Sequence, residues 1–408
     1  MLNIIWVTFF ILAFLSALYQ SVVLGDVGIW TELVSSTFTS ARSAFNICLN
    51  LTGILCLWLG LLKIAEVSGL TKLLAKALMP LFKKILPEIP ENHPSIGSIV
   101  MNMAANILGL DNAATPAGLK AMEQLQTLNP KKETASNAQI LFMVINASSV
   151  TLIPITILMY RAELGASNPS AVFIPILLAT SISTFIGFLT VAWVQKLDIF
   201  NRVVLSYLLG FATLIGLLAF YFCSLPMEER LNASAGFGNF ILFAIMISFI
   251  LSGLIKKINV YETFIQGAKE GFEIAIRIIP YLVAMLVAIA VFRASGAMDW
   301  LILLFENFFR LIKLPTDFVP ALPTALMKPF SGSGARAMMI ETMQTYGADS
   351  FPAFVSCIIQ GSTETTFYVL AVYFGAVKIT KIRHALPCAL LADFAGITAA
   401  IIFAYMFF

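Results

Sequence analysis

Apolar runs of about twenty residues recur along the chain, separated by short polar stretches. A hydrocarbon core about 30 Å thick needs roughly 20 apolar residues in a helix to cross it. By that measure nine segments read as spanning helices: about 3–24, 44–62, 137–160, 172–195, 203–223, 237–255, 278–294, 352–376 and 385–407. No basic residue precedes the first run and no small-residue cleavage site follows it, so it reads as a retained span. Two segments rich in both leucine and cations, 71–86 and 300–314, suit helices that lie along the interface or pack in a loop.

Two further pairs of apolar segments are too short to cross. Segments 95–108 and 117–128 flank Gly-Leu-Asp-Asn-Ala-Ala-Thr-Pro, and segments 317–330 and 335–346 flank Ser331-Gly-Ser-Gly334. A 14-residue helix rises only about 21 Å. Both pairs therefore predict re-entrant helical hairpins, whose non-helical tips must sit inside protein or beside water. Two spans also carry their own interruptions. Pro154 cannot donate to the carbonyl of Val150, next to Asn146, Ser148, Ser149 and Thr151. Six polar residues crowd seven positions from Gln360 to Thr366, among them Glu364.

Composition narrows the class. Of 408 residues, 59% are apolar and 12% charged, against about 25% charged in soluble domains. That excludes an ordinary soluble enzyme, a disordered chain and, with a net charge of only +3, a nucleic-acid binder. Five cysteines form no CxxC pair and sit mostly in apolar runs; two histidines form no HExxH, and no GxxxxGK[ST] is present. We therefore expect neither an enzyme nor a resident metal or cofactor. The 25 Lys and Arg divide into 17 on one side of the predicted topology and 8 on the other. The richer side is expected to be cytoplasmic, with the N-terminus inside and the C-terminus outside.

The halves also match in order. Phe45 aligns with Phe272 and Gly69 with Gly296; Met101 aligns with Met327 and Glu123 with Glu341. Asn146-Ala-Ser-Ser-Val-Thr151 aligns with Gln360-Gly-Ser-Thr-Glu-Thr365, and Leu177-Leu-Ala179 with Leu390-Leu-Ala392. The expected fold is an all-α membrane protein of about nine transmembrane helices in two inverted repeats, each with a hairpin and a broken helix. The first repeat is 1–196, a linker helix occupies 197–229, and the second repeat is 230–408. Secondary transporters use this plan and bind where broken helices meet near midplane.

The string MNMAANILGLDNAATPAGLKAMEQLQTLNP, with INASSVTLIP, resembles the spore maturation protein A family. IRIIPYLVAMLVAIAVFRASGAMD, KPFSGSGA and QGSTETTFYVLAVYFGAVKITKIRHALPCALLADFAG resemble the spore maturation protein B family. The chain is similar to the two fused. Both families belong to the nucleoside-recognition Gate group, which is similar to the core of concentrative nucleoside transporters and of ferrous iron transporter B. That likeness implies a substrate site built from the hairpins and broken helices. No GTPase domain accompanies the chain, and the nucleoside transporters' trimerisation helices are not recognisable.

Candidate solute-binding residues follow from these features. At the first hairpin they are Asn102, Asn106, Asp111, Asn112 and Thr115, with Thr115-Pro116 expected to cap and open the returning helix near midplane. The first break offers Asn146, Ser148, Ser149 and Thr151. The second hairpin offers Ser331, Ser333 and Glu341, and the second break Gln360, Ser362, Thr363, Glu364 and Thr365. Glu364 stands out, because an intramembrane carboxylate is expensive without a partner. Asp393 is a weaker candidate. The alternatives are satisfaction of broken backbone, a structural ion pair at Glu341, or Ser/Thr contacts between helices. The expected function is alternating-access transport of a nucleoside-like or other small polar solute, with Na+ or H+ as the coupling ion. The expected place is a bacterial inner membrane, with the lipid bilayer as partner and a homo-oligomer compatible. A non-transporting scaffold in envelope or spore maturation is the alternative. An intramembrane protease using Asp111 and Asp393 lacks any supporting motif.

Overall fold

The computed structural model describes residues 2–90, 93–108, 111–148 and 150–408, and their side chains except those of 2 and 111–113. Within these the chain is helical, apart from one isolated bridge between Thr134 and Lys381. The first half runs α1 (Leu2–Val23), α2 (Ile29–Val67), α3 (Leu70–Ile85), α4 (Pro94–Ile107), α5 (Asp111–Leu128), α6 (Asn137–Ala147), α7 (Ile155–Glu163) and α8 (Phe173–Gln195). Helix α9 (Arg202–Ser224) follows. Then come α10 (Met227–Ile255), α11 (Val260–Ala294), α12 (Ala297–Leu311), α13 (Leu322–Met327), α14 (Gly332–Tyr346), α15 (Phe351–Ser362), α16 (Thr366–Ala376) and α17 (Ala385–Phe407).

Among the described residues, seven helices are long and apolar enough to cross a membrane: α1, α2, α8 with the turn before it, α9, α10, α11 and α17. The chain is a multi-pass membrane protein. The two remaining expected spans, 137–160 and 352–376, are each divided into two short helices. Helices α2 and α11 run well past the apolar windows 44–62 and 278–294, to 39 and 35 residues. At 1.5 Å per residue α2 is about 58 Å long, nearly twice a hydrocarbon core, so it must tilt or project.

Helices α2 and α11 pack against each other at very short range. A side chain on Gly271 would place Cβ 2.8 Å from the backbone of Cys56, one on Gly267 would strike the Leu59 carbonyl, and one on Gly60 would meet Phe264. Gly267 and Gly271 are four residues apart on one helix face, which lets two backbones approach in lipid. Rising numbers on α11 meet falling numbers on α2, so the pair is antiparallel. Helices α8 and α17 also cross antiparallel: a Cβ on Gly187 would lie 3.1 Å from Ala392, and one on Gly396 would lie 2.9 Å from Ser183. Partners are exchanged around these pairs. Helix α1 packs on α11 and α10 on α2; α6 packs on α17 and α15 on α8.

The amphipathic segments form as expected, as α3 and α12. Each begins after a glycine in the left-handed region, Gly69 at φ 81° and Gly296 at φ 71°. A Cβ there meets the following carbonyl. Gly69→Ala and Gly296→Ala are each expected to cost about 1–2 kcal/mol, on the left-handed penalty. The melting temperature of detergent-purified protein reads this, and two unchanged melts would show that the turns relax freely.

Candidate functional site

The site begins with two helices that stop. Helix α6 starts from a capping box in which Ser136 and Gln139 satisfy each other's backbone, and it ends at Ala147. Helix α7 resumes only after Pro154. Helix α15 starts at Ser350, with Pro352 in its first turn, and ends at Ser362; Thr363 is fully extended (φ −145°, ψ 172°). A helix that stops leaves carbonyls without donors. Here the second break supplies the first, because the Glu364 N–H donates to the Ala147 carbonyl at 2.9 Å. Each hairpin is tied to the break of its own half. Leu152 N–H donates to Ile107 O at 3.1 Å, and Phe367 N–H donates to Pro329 O at 3.0 Å.

A polar network closes the first side. Asn106 Nδ2 donates to Asn146 Oδ1 at 2.8 Å, and Asn102 Nδ2 donates to Ala114 O at 2.7 Å and to Tyr373 Oη at 3.2 Å. The Tyr373 hydroxyl donates to Asn146 Oδ1 at 3.3 Å, its ring stacked on Phe142 at 5.6 Å. Tyr373 comes from α16 in the other half, where Gly118 leaves room for its hydroxyl. Three predicted asparagines thus meet, joined by a tyrosine hidden in an apolar run. Ser148 Oγ donates back to Val144 O at 2.9 Å, and Thr184 donates to the Ser148 carbonyl. Thr151 is half-buried. Ser149, and the side chains of Asp111 and Asn112, lie outside the described residues.

Thr115 does not cap α5. That helix begins at Asp111 and carries Pro116 within it, and Thr115 is exposed. Proline has a helical φ and removes only one donor, so the helix can run through it. The expected free N–H groups at Thr115 are therefore not where the sequence placed them.

On the second side, Ser331 Oγ accepts from Gly334 N at 3.0 Å and lies 3.2 Å from Ser333 Oγ. Gly332 stands against Thr365, whose Oγ1 would be 2.7 Å from an added Cβ. Ser362 Oγ donates to Ile359 O at 2.9 Å and closes its own helix end. Glu364 differs from expectation: its side chain is exposed at the break rather than enclosed opposite Asn146. Glu341, only 7% exposed, holds the Arg293 guanidinium of α11 (Nη2 to Oε2 3.0 Å) and accepts from Thr345 Oγ1 at 2.7 Å. Its carboxylate is engaged in an ion pair.

Two charged groups that sequence reasoning undervalued are central here. Lys328, one of the 8 cations on the poorer side of the predicted topology, is 3% exposed and donates to the Gln360 carbonyl at 2.7 Å. Asp393, on α17, is 2% exposed and accepts from Thr366 Oγ1 at 2.7 Å. Thr363 stands beside the same carboxylate, and buried Gln360 Oε1 has no hydrogen-bond partner. The available signal was a lysine inside a hairpin arm too short and too apolar to be a loop. Arg161, another of those 8 cations, is 2% exposed and donates to the carbonyls of Pro169 (3.1 Å) and Ala348 (3.0 Å). A cavity of about 510 Å3 lies away from the hairpin tips, between Glu88, Asn129, Lys131, Ser136 and Arg383.

A family profile described as Gate, nucleoside recognition, matches residues 48–167 and 275–380, together more than half of the chain. The chain belongs to the Gate nucleoside-recognition family. Each Gate match contains one hairpin and one broken helix, the elements that build the site. Spore maturation protein B of Bacillus subtilis (strain 168) is 49% identical over 164 residues, 40% of this chain and 90% of that protein. Spore maturation protein A of the same organism is 39% identical over 183 residues, 45% of this chain and 90% of that protein. They cover different parts of the Gate chain, as in a fusion. No solved structure matches it significantly.

Proposed function

We propose that the chain is a secondary transporter that moves a nucleoside-like or other small polar solute by alternating access. Its site is the meeting of the two helix breaks with the two hairpin tips. The observation that carries this is the hydrogen bond that joins the breaks, Glu364 N–H to Ala147 O, with each hairpin bonded to its own break. In the inverted-repeat plan, solute and ion sites lie where discontinuous helices meet. The antiparallel crossings of α2 with α11 and of α8 with α17, and the exchanged partners around them, support two inverted repeats at 1–196 and 230–408 joined through 197–229. On this reading the broken helices add two crossings to the seven continuous ones, with the N-terminus cytoplasmic and the C-terminus outside a bacterial inner membrane. An exposed Glu364 carboxyl at the break suits a polar, water-accessible surrounding rather than hydrocarbon.

The test is a melting-temperature screen of detergent-purified protein against nucleosides and small polar acids, followed by uptake into proteoliposomes. A ligand at a hundred times its Kd stabilises the folded state by about 2.7 kcal/mol. Glu364→Gln keeps the shape and is expected to fold as the parent does while losing at least tenfold in affinity. An unchanged affinity would remove Glu364 from the site. A scaffold is favoured by one observation, the placement of the 510 Å3 cavity away from the hairpin tips. Folded protein that neither binds nor moves any member of the panel would favour it further.

A further inference from the structure

Gln360 O belongs to the last turn of α15. In an unbroken helix it would accept from the N–H of residue 364. That N–H is spent on Ala147 O instead. The carbonyl is not left bare, because the Lys328 ammonium reaches it from the second hairpin at 2.7 Å. In transporters with broken helices, unwound carbonyls and the C-terminal ends of half-helices are the ligands of the coupling cation. Here the cation at such an end is part of the chain.

The surroundings are those of a cation site. Asp393 places a carboxylate in the same cluster, near enough to attract the ammonium but without a direct ion pair to it. Its Oδ2 accepts from Thr366 Oγ1, the Thr363 hydroxyl stands beside the carboxylate as a second donor, and Gln360 Oε1 is a buried acceptor with no donor. Gln360 and Thr363 are three residues apart at the helix end. Thr363 stands beside the Asp393 carboxylate and packs on the face of α17 that carries Gly396. The other charges acting on Lys328 are Glu364, at the break, and Arg336, on α14. Buried oxygens without donors attract a cation or a donor, not an anion.

We propose that Lys328 is a tethered cation occupying a monovalent-cation site at the second helix break. Lys328 takes Gln360 O directly; Gln360 Oε1, Thr363 Oγ1 and Asp393 Oδ1, none of which it bonds, are the further ligands a free cation would gather. The parent protein is then indifferent to sodium there, and loss of the lysine opens the site to a free alkali cation. This deepens the transporter reading and rests on it for the role of the break; its test reads stability alone and needs neither a solute nor transport. Detergent-purified parent and Lys328→Met are melted in NaCl, KCl or choline chloride at equal ionic strength. The parent is expected to melt alike in all three. Lys328→Met is expected to melt lower in choline and to regain several degrees in NaCl or KCl, with saturation. Lys328→Met combined with Asp393→Asn should lose that recovery, and Lys328→Arg should stay indifferent. If Lys328→Met does not fold, Lys328→Gln, which keeps one donor and no charge, takes its place under the same expectation. A sodium-specific rise in the parent would overturn the proposal. So would the absence of an alkali-cation response in both uncharged variants. Either failure would leave solute binding, and so the transporter reading, to its own screen.

Discussion

Gly267→Leu is expected to remove most of the folded protein. Its Cβ would run into the Leu59 carbonyl and the Lys63 side chain, with Gly60 immediately behind. Overpacking costs about 1–3 kcal/mol where side chains can yield. Here the obstacle is backbone on a 39-residue helix, so about 3 kcal/mol or more is expected, beyond the usual range because two helices must part. Gly271→Leu should behave alike, since Cys56 N and Leu55 O lie 2.9 and 2.8 Å from the added carbon. Gly210→Ala on α9 is the control. Nothing lies within 4 Å of its Cβ, and alanine is the better helix former by about 1 kcal/mol. Yield of monodisperse protein on size exclusion, with melting temperature, reads all three. Folded Gly267→Leu at parental yield would mean that α2 and α11 do not approach as described.

Glu341→Leu is the second large effect. It leaves the Arg293 guanidinium largely buried, with only the more distant Asp299 carboxylate at 3.6 Å and the Tyr346 ring at 5.6 Å. Removing one partner of a buried pair costs about 3–5 kcal/mol, whereas replacing both by apolar groups is often neutral. Arg293→Met together with Glu341→Leu is therefore expected to melt within a few degrees of the parent. The same double variant separates the two roles open to Glu341. If the carboxylate is structural, the double variant keeps its response to whichever solute the parent binds. If that response vanishes while the melt is restored, Glu341 is also a ligand.

Much of the fold was legible because lipid imposes a simple rule. Apolar runs of spanning length became helices, and segments too short to span became α4 with α5 and α13 with α14. The breaks at Pro154 and at Gln360–Thr366 showed as proline and crowded polar residues in apolar surroundings. What stayed hidden has physical causes. Apolar windows end at Arg42 and Arg277, but a helix does not end where its surface turns polar, so α2 and α11 came out short. Tyr373 reads as one more aromatic in an apolar run, and only the packing of α16 on α5 turns its hydroxyl toward Asn102 and Asn146. Lys328 and Arg161 were counted as surface charge, because a linear count cannot tell a loop cation from one folded onto helix-end carbonyls. Glu364 was expected inside for its cost in hydrocarbon, whereas the fold leaves it exposed at the break.

The exchange of helices between the halves bears on assembly. Helix α1 rests on α11, α10 on α2, α6 on α17 and α15 on α8, so neither half completes its own packing. In Bacillus subtilis the matching sequences are two separate proteins, each covered over 90% of its length. Two separate chains that interlocked in this way would have to find each other in the bilayer at whatever density each is made, and an excess of either would be left with unfilled helix faces. Joining them through α9 fixes the ratio at one to one. It also replaces that search with an internal one, at an effective concentration on the order of millimolar for a short connection.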